Sequence, residues 1–191
     1  MPGYASTLVA ALGDGTALNT STTETSILPA ESKILLPARY IDRPGKAFNL
    51  RVTGRLSNIV TTPGTLTLRV KLGATANIAV ATSQAFALST TAHTTVGFDL
   101  DLDLLVRAVG SGTAANIMAN GHLVSEALGS SRAAVAGVAD SAVWQNTPVV
   151  GTGFDSSVVN QFDVTAQFSV SNAGNAIQVH TCRLTDLLTT P

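Results

Sequence analysis

The chain reads as all-β, a jelly-roll-like antiparallel β-sandwich, and three observations carry that reading. Apolar side chains recur at every second position: Leu50, Val52, Gly54 and Leu56 alternate with Arg51, Thr53 and Arg55, and Leu66, Leu68 and Val70 alternate with Thr65, Thr67 and Arg69. Period two is the signature of strands with one buried face. Turn chemistry punctuates these runs, as in Thr61-Thr62-Pro63-Gly64, Arg43-Pro44-Gly45-Lys46 and Asn172-Ala173-Gly174-Asn175. Many short runs spaced by such signals indicate a sandwich or barrel of about eight strands.

The elements follow in chain order. Residues 1–23 are rich in Gly, Ser, Thr and Ala and keep neither period, so an extended N-terminal arm is expected there, with residues 24–191 forming one sandwich domain. Ser26-Ile27-Leu28 and Ile34-Leu35-Leu36 each end at a proline, which suits edge strands. Strands are then predicted at 47–57, 65–72, 77–81, 84–88, 95–108, 115–125, 160–171 and 176–184. Pro63 presets one backbone angle and Gly64 tolerates positive φ, so the first two of these are read as a hairpin. The last two are read as another: Phe162, Val164, Ala166, Phe168 and Val170 share a face that Ile177 and Val179 continue. Leu184 has the opposite parity from Val179, which calls for a bulge or a change of partner between them. Residues 126–150 break the rhythm. They read as a long loop, whose alanines would allow a short helix near 132–142 against the opposition of Gly129 and Gly137.

Composition narrows the function classes. Of 191 residues, 12% are charged, about half the ~25% of ordinary soluble domains, and the formal net charge is −1. Such a surface favours association, so burial of outer faces by other subunits is expected. Neither the charge nor the 5% of aromatics offers a phosphate-neutralising patch or a stacking platform, which argues against nucleic acid as a partner. No apolar run approaches the ~18 residues of a membrane span, and the first residues lack the basic start and apolar core of a secretion signal. Synthesis in a cytoplasm is therefore the expectation. Cys182, the single cysteine, sits in apolar text and reads as a buried, inert thiol.

Candidate chemistry is sparse. Asp99, Asp101 and Asp103 fall on one face of a strand, which raises the question of calcium. The sixth and twelfth positions of an EF-hand counted from Asp99 are Leu104 and Gly110, where Gly and Glu are required, so pairing with basic groups such as Arg51 and Arg55 is expected instead. His93, His122 and His180 have no metal-ligand spacing. The run Gly151-Thr152-Gly153-Phe154-Asp155-Ser156 lacks the last glycine and the following helix of a nucleotide fingerprint. With no nucleophile elbow and no paired acids, no catalytic, metal or cofactor residue is assigned and an enzyme is not expected. The candidates that remain are contact residues. Tyr4, Leu8, Val9, Leu12 and Leu18 are the sizeable apolar groups of the arm and are expected to dock on a neighbour. Trp144 is the one tryptophan that a sugar-binding face would use.

Four blocks, "TSILPAESKILLPA" at 25–38, "GRLSNIVTTPGTLTLRVKLG" at 54–73, "GSGTAANIMANGHLVSEA" at 110–127 and "GTGFDSSVVNQFDVTAQFSVSNAGNAIQVH" at 151–180, resemble a family of small β-sandwich structural proteins of tailed bacteriophages. The resemblance implies a virion protein without catalysis, foremost a capsid decoration protein on the exterior of the head. It also implies a homo-oligomer, a trimer, with the phage major capsid protein as partner. The alternatives are a tail or baseplate component, or a carbohydrate-binding module used in host attachment.

Overall fold

A computed structural model describes residues 5–129 and 139–187, and these form fourteen antiparallel strands with a single 3-10 turn at Ala30–Ser32. In chain order the strands are β1 (Ser6–Ala10), β2 (Leu18–Asn19), β3 (Thr25–Ser26), β4 (Leu35–Leu36), β5 (Ala47–Asn58), β6 (Thr65–Leu72) and β7 (Ile78–Thr82). They continue as β8 (Phe86–Ala87), β9 (His93–Ala108), β10 (Asn116–Ser125), β11 (Asp140–Val143), β12 (Asn160–Gln161), β13 (Asp163–Phe168) and β14 (Ala176–Asp186). The larger sheet has the order β1-β14-β5-β9-β10-β11, with β2 also on β14, and the smaller has β3-β13-β6-β7, with β8 on β6. A two-residue ribbon of β4 and β12 stands apart.

The core lies between the two sheets. Leu50, Val52 and Leu56 of β5 and Leu100 and Leu102 of β9 come from one side, and Leu66, Leu68, Val164 and Phe168 of β6 and β13 come from the other, each 1% or less exposed. The alternation in β6 is complete, with every even-numbered residue from Leu66 to Leu72 buried. An interior void lined by Leu36, Phe48, Leu72 and Phe162 among others holds about 20 Å³, enough for roughly one water and wholly apolar.

Both expected hairpins are instead crossings between sheets. β5 pairs with β14 and β9, whereas β6 pairs with β13, β7 and β8, so residues 59–64 carry the chain from the larger sheet to the smaller. Residues 169–175 carry it back from β13 to β14. In either arrangement the apolar faces of the two strands meet, and connections of six and seven residues exceed the two-residue loops that enforce pairing. The two crossings are locked together. Asn175, fully buried, accepts from Ile59 N at 3.2 Å and donates to Pro63 O at 2.9 Å. Gly64 has φ +75° and passes so close to Ser169 and Val170 that a Cβ would lie 2.5 Å from Ser169 Oγ. The expected irregularity in the last strand is a bulge between Val179 and Thr181. The long loop expected at 126–150 lies partly outside the described residues, and within it Asp140–Val143 form strand β11 on the edge of the larger sheet.

The arm differs from its expectation. β1 and β2 add to β14 of the same chain, and Ala11 N and Gly15 N donate to Cys182 O and Val179 O at 2.9 and 2.8 Å. The cause is parity: Val9 and Leu18 point inward and are 4% and 3% exposed. No helix among the described residues is long and apolar enough to cross a membrane.

Candidate functional site

The contact residues named from sequence do not come together. Val9 and Leu18 lie in the chain's own core, Leu8 packs half-buried against it, and Tyr4 lies outside the described residues. Of the arm candidates among the described residues, Leu12 alone is free for contact, at 93% exposed. Trp144 is 1% exposed, its ring tilted at 59° to Phe86 with centroids 6.4 Å apart. Its indole cannot stack on a sugar in this conformation.

Trp144 instead anchors a clasp. Its N donates to Gly121 O in the larger sheet at 2.8 Å, and its O accepts from Gln84 N beside the smaller sheet at 2.7 Å. Gln145 Nε2 donates to Thr82 O at 2.7 Å, while Gly151 N and Thr152 N donate to Ile117 O and Ala79 O at 3.0 and 3.3 Å. The segment after β11 thus closes the open edges of β10 and β7 with main-chain bonds, which removes the unpaired edges that would otherwise invite aggregation. On its outer side Val143, Val149 and Val150 are 56%, 54% and 46% exposed, and Val158 and Val159 follow at 44% and 46%. Leu35, 62% exposed, lies on β4, which pairs with β12 immediately after Val159. Sequence reasoning missed this group because single valines in a loop carry no period; their number within 17 residues was the available signal.

The outer faces of the sheets are charged in pairs. Asp99 accepts two hydrogen bonds from Arg51, one from Nε at 3.1 Å and one from Nη2. Asp101 and Asp103 accept from Asn49 Nδ2 at 2.8 and 3.2 Å rather than from a basic group. Arg69 and Lys71 stand on the smaller sheet, away from these aspartates, and pair with Glu24 at 3.4 and 2.8 Å. Burial alone would raise the Glu24 pKa; the bonds from Lys71 and Thr165 and the charge of Arg69 outweigh it and hold the carboxyl below its usual range. Among the described residues no group of three or more His, Cys, Asp or Glu side chains is placed to hold a metal.

Two buried groups belong to structure. Asp186, 1% exposed, accepts from Tyr40 Oη at 2.7 Å and pairs with Lys46 Nζ at 3.2 Å, and that ammonium stands 3.9 Å over the Tyr40 ring. Burial, then the facing Asp186, pushes the Tyr40 phenol upward. Burial pushes the Cys182 thiol up to about 12, which leaves it protonated and unreactive at neutral pH. The surface depressions are shallow. One of them, about 500 Å³, lies among Arg39, Asp42, Ser111 and Ser157.

No protein-family model matches the chain, and no curated protein matches it. A solved structure titled as the CBM2 module of the evolved Dit of Lactobacillus casei BL23 phage J-1 is similar over the whole of both chains, with 7% sequence identity and a TM-score of 0.39.

Proposed function

We propose that the chain is a structural component of a tailed-phage virion that works by docking on another virion protein, without catalysis. The observation that carries the reading is the clasp. Five of the eight large apolar side chains exposed among the described residues fall between Val143 and Val159. They stand on a segment held by main-chain bonds to both sheets, so they are presented without the ordering cost that a free loop would incur. In a chain with 12% charged residues, an apolar strip of this kind marks a protein contact.

Two placements follow. A tail or host-attachment role agrees with the phage module named above, and decoration of the head exterior, with the major capsid protein as partner, rests on the sequence blocks alone. A carbohydrate site under the first placement is to be sought away from Trp144, whose ring is enclosed. Purified heads and purified tails of a phage encoding this chain, each stripped of it and incubated with the recombinant protein, separate the two by co-sedimentation. Binding to either particle that weakens at least tenfold in a Val149→Asp, Val150→Asp variant supports docking through the clasp. Equal recovery of the variant removes the clasp from the contact, and failure to bind either particle refutes the virion reading.

A further inference from the structure

The outer face of the larger sheet carries charges that the other described residues leave half matched. Register places its outward side chains in rows across β14, β5 and β9: Thr181, Thr53, Asp99; then Arg183, Arg51, Asp101; then Thr185, Asn49, Asp103. The columns therefore differ in sign. β14 and β5 present Arg183, Arg51 and Arg55, and β9 presents Asp99, Asp101 and Asp103. Arg51 is committed to Asp99. Asp101 and Asp103 have only an amide donor, with no cation at ion-pair distance among the described residues. Arg183 is exposed, has no ion pair among the described residues, and stands directly across from Arg51. Like charges directly opposite on neighbouring strands are unfavourable.

We propose that this face pairs with the same face of a second copy about a two-fold axis that runs parallel to the strands, between β5 and β9. The operation exchanges the two columns and keeps the rows. Strands lie about 4.8 Å apart, so each Arg51 comes to face the second copy's Asp101, each Asn49 its Asp103 and each Thr53 its Asp99. The incoming Asp101 also lies beside Arg183, and the unfavourable Arg51 and Arg183 pair acquires a shared anion. An axis across the strands would set aspartates on aspartates, so the charge pattern selects one operator. The face is six strands wide and seven or so residues long, on the order of 700 Å² per copy, which is at the lower end of what a stable pair buries. The pairing does not depend on where the protein sits in a virion, and it is two-fold rather than the three-fold assembly that the sequence resemblance implies.

Charge exchange tests it. Sedimentation of the intact chain at low salt should give twice the monomer mass at high concentration, with dissociation at least tenfold easier at high salt because the pairs lie near solvent. Arg51→Glu and Asp101→Arg should each weaken pairing at least tenfold. An equimolar mixture of the two variants should pair again. In the mixed pair the introduced glutamate of one copy faces the introduced arginine of the other, and the second contact keeps native Arg51 opposite native Asp101. Recovery on mixing cannot come from folding of either chain alone. Asp101→Asn, which keeps the acceptor for Asn49, provides a milder variant and should weaken pairing less. A monomer at every concentration, a trimer mass, unaltered pairing by all three variants, or no recovery in the mixture overturns the proposal.

Discussion

Truncation of Trp144 to alanine should unhinge the clasp. The side chain is 1% exposed and packs on Phe86, so on the order of 200 Å² of largely apolar surface leaves the interior, worth about 5 kcal/mol at ~25 cal/mol/Å². Partial collapse of the site brings the expected loss to about 3–5 kcal/mol. With a urea slope of about 2 kcal/mol/M, the midpoint should fall by roughly 2 M, followed by circular dichroism because the chain's single tryptophan is then absent. Trp144→Phe separates packing from polarity. Nε1 is buried without a hydrogen-bond partner among the described residues, a condition that costs about 1–3 kcal/mol. Phenylalanine gives up part of the area but removes the unpaired donor, so the variant should stay within about 1 kcal/mol of wild type. In the native protein the indole fluorescence should resist aqueous quenchers until unfolding. A Trp144→Ala protein with an unshifted midpoint, or a native indole quenched as readily as free tryptophan, would show that the ring lies outside the core.

Gly15→Ala should release the arm, because a Cβ there would lie 1.9 Å from Ile27 O; faster proteolysis ahead of residue 15 in a still-folded sandwich is the expected result, and unchanged protection would contradict the close approach. Glu24 has a folded pKa below its unfolded value, so its contribution is complete above about pH 4.5 and is lost as pH falls through the folded value. Glu24→Gln should therefore lower the urea midpoint near neutrality, and the gap from wild type should close under acid. Parallel curves at all pH values would refute the assignment. Chelation with EDTA should leave the thermal midpoint unchanged, since Arg51 and Asn49 already serve Asp99, Asp101 and Asp103; a fall of several degrees restored by calcium would count against that account.

Strand positions were legible because each buried face imposes period two on its own segment. The predicted 47–57, 65–72 and 95–108 correspond to β5, β6 and β9 within two residues at each end. Pairing partners were not legible at the Pro63-Gly64 and Asn172-Asn175 turns. A strand that folds back beside its predecessor and one that crosses to the opposite sheet both direct alternate side chains into the same core, so Leu56 and Leu66, or Phe168 and Ile177, satisfy either arrangement. What decides is the connection, and there the informative residue is Asn175. Its amide serves Ile59 and Pro63 from inside the protein, a long-range role that local sequence does not display.

The candidate site was less legible for a related reason. Apolar residues in polar text were read as contact residues, yet an isolated apolar residue in such text has two fates, and parity separates them. Val9 lies opposite Leu184 and Leu18 opposite Ile177, all four on the inward face of the larger sheet. Once β14 is known to be an open edge, an arm with apolar residues at inward positions folds onto it, since the edge offers unpaired main-chain groups at once and at high effective concentration. The charges obey the same logic across the sheet. Asp99, Asp101 and Asp103 were legible as one outward column, and Arg51 and Arg55 as another, but which arginine meets which aspartate depends on the stagger between β5 and β9. Arg51 stands opposite Asp101 in register and yet bonds to Asp99. That one-row diagonal leaves Asp101 to an amide and opens the face to a second copy.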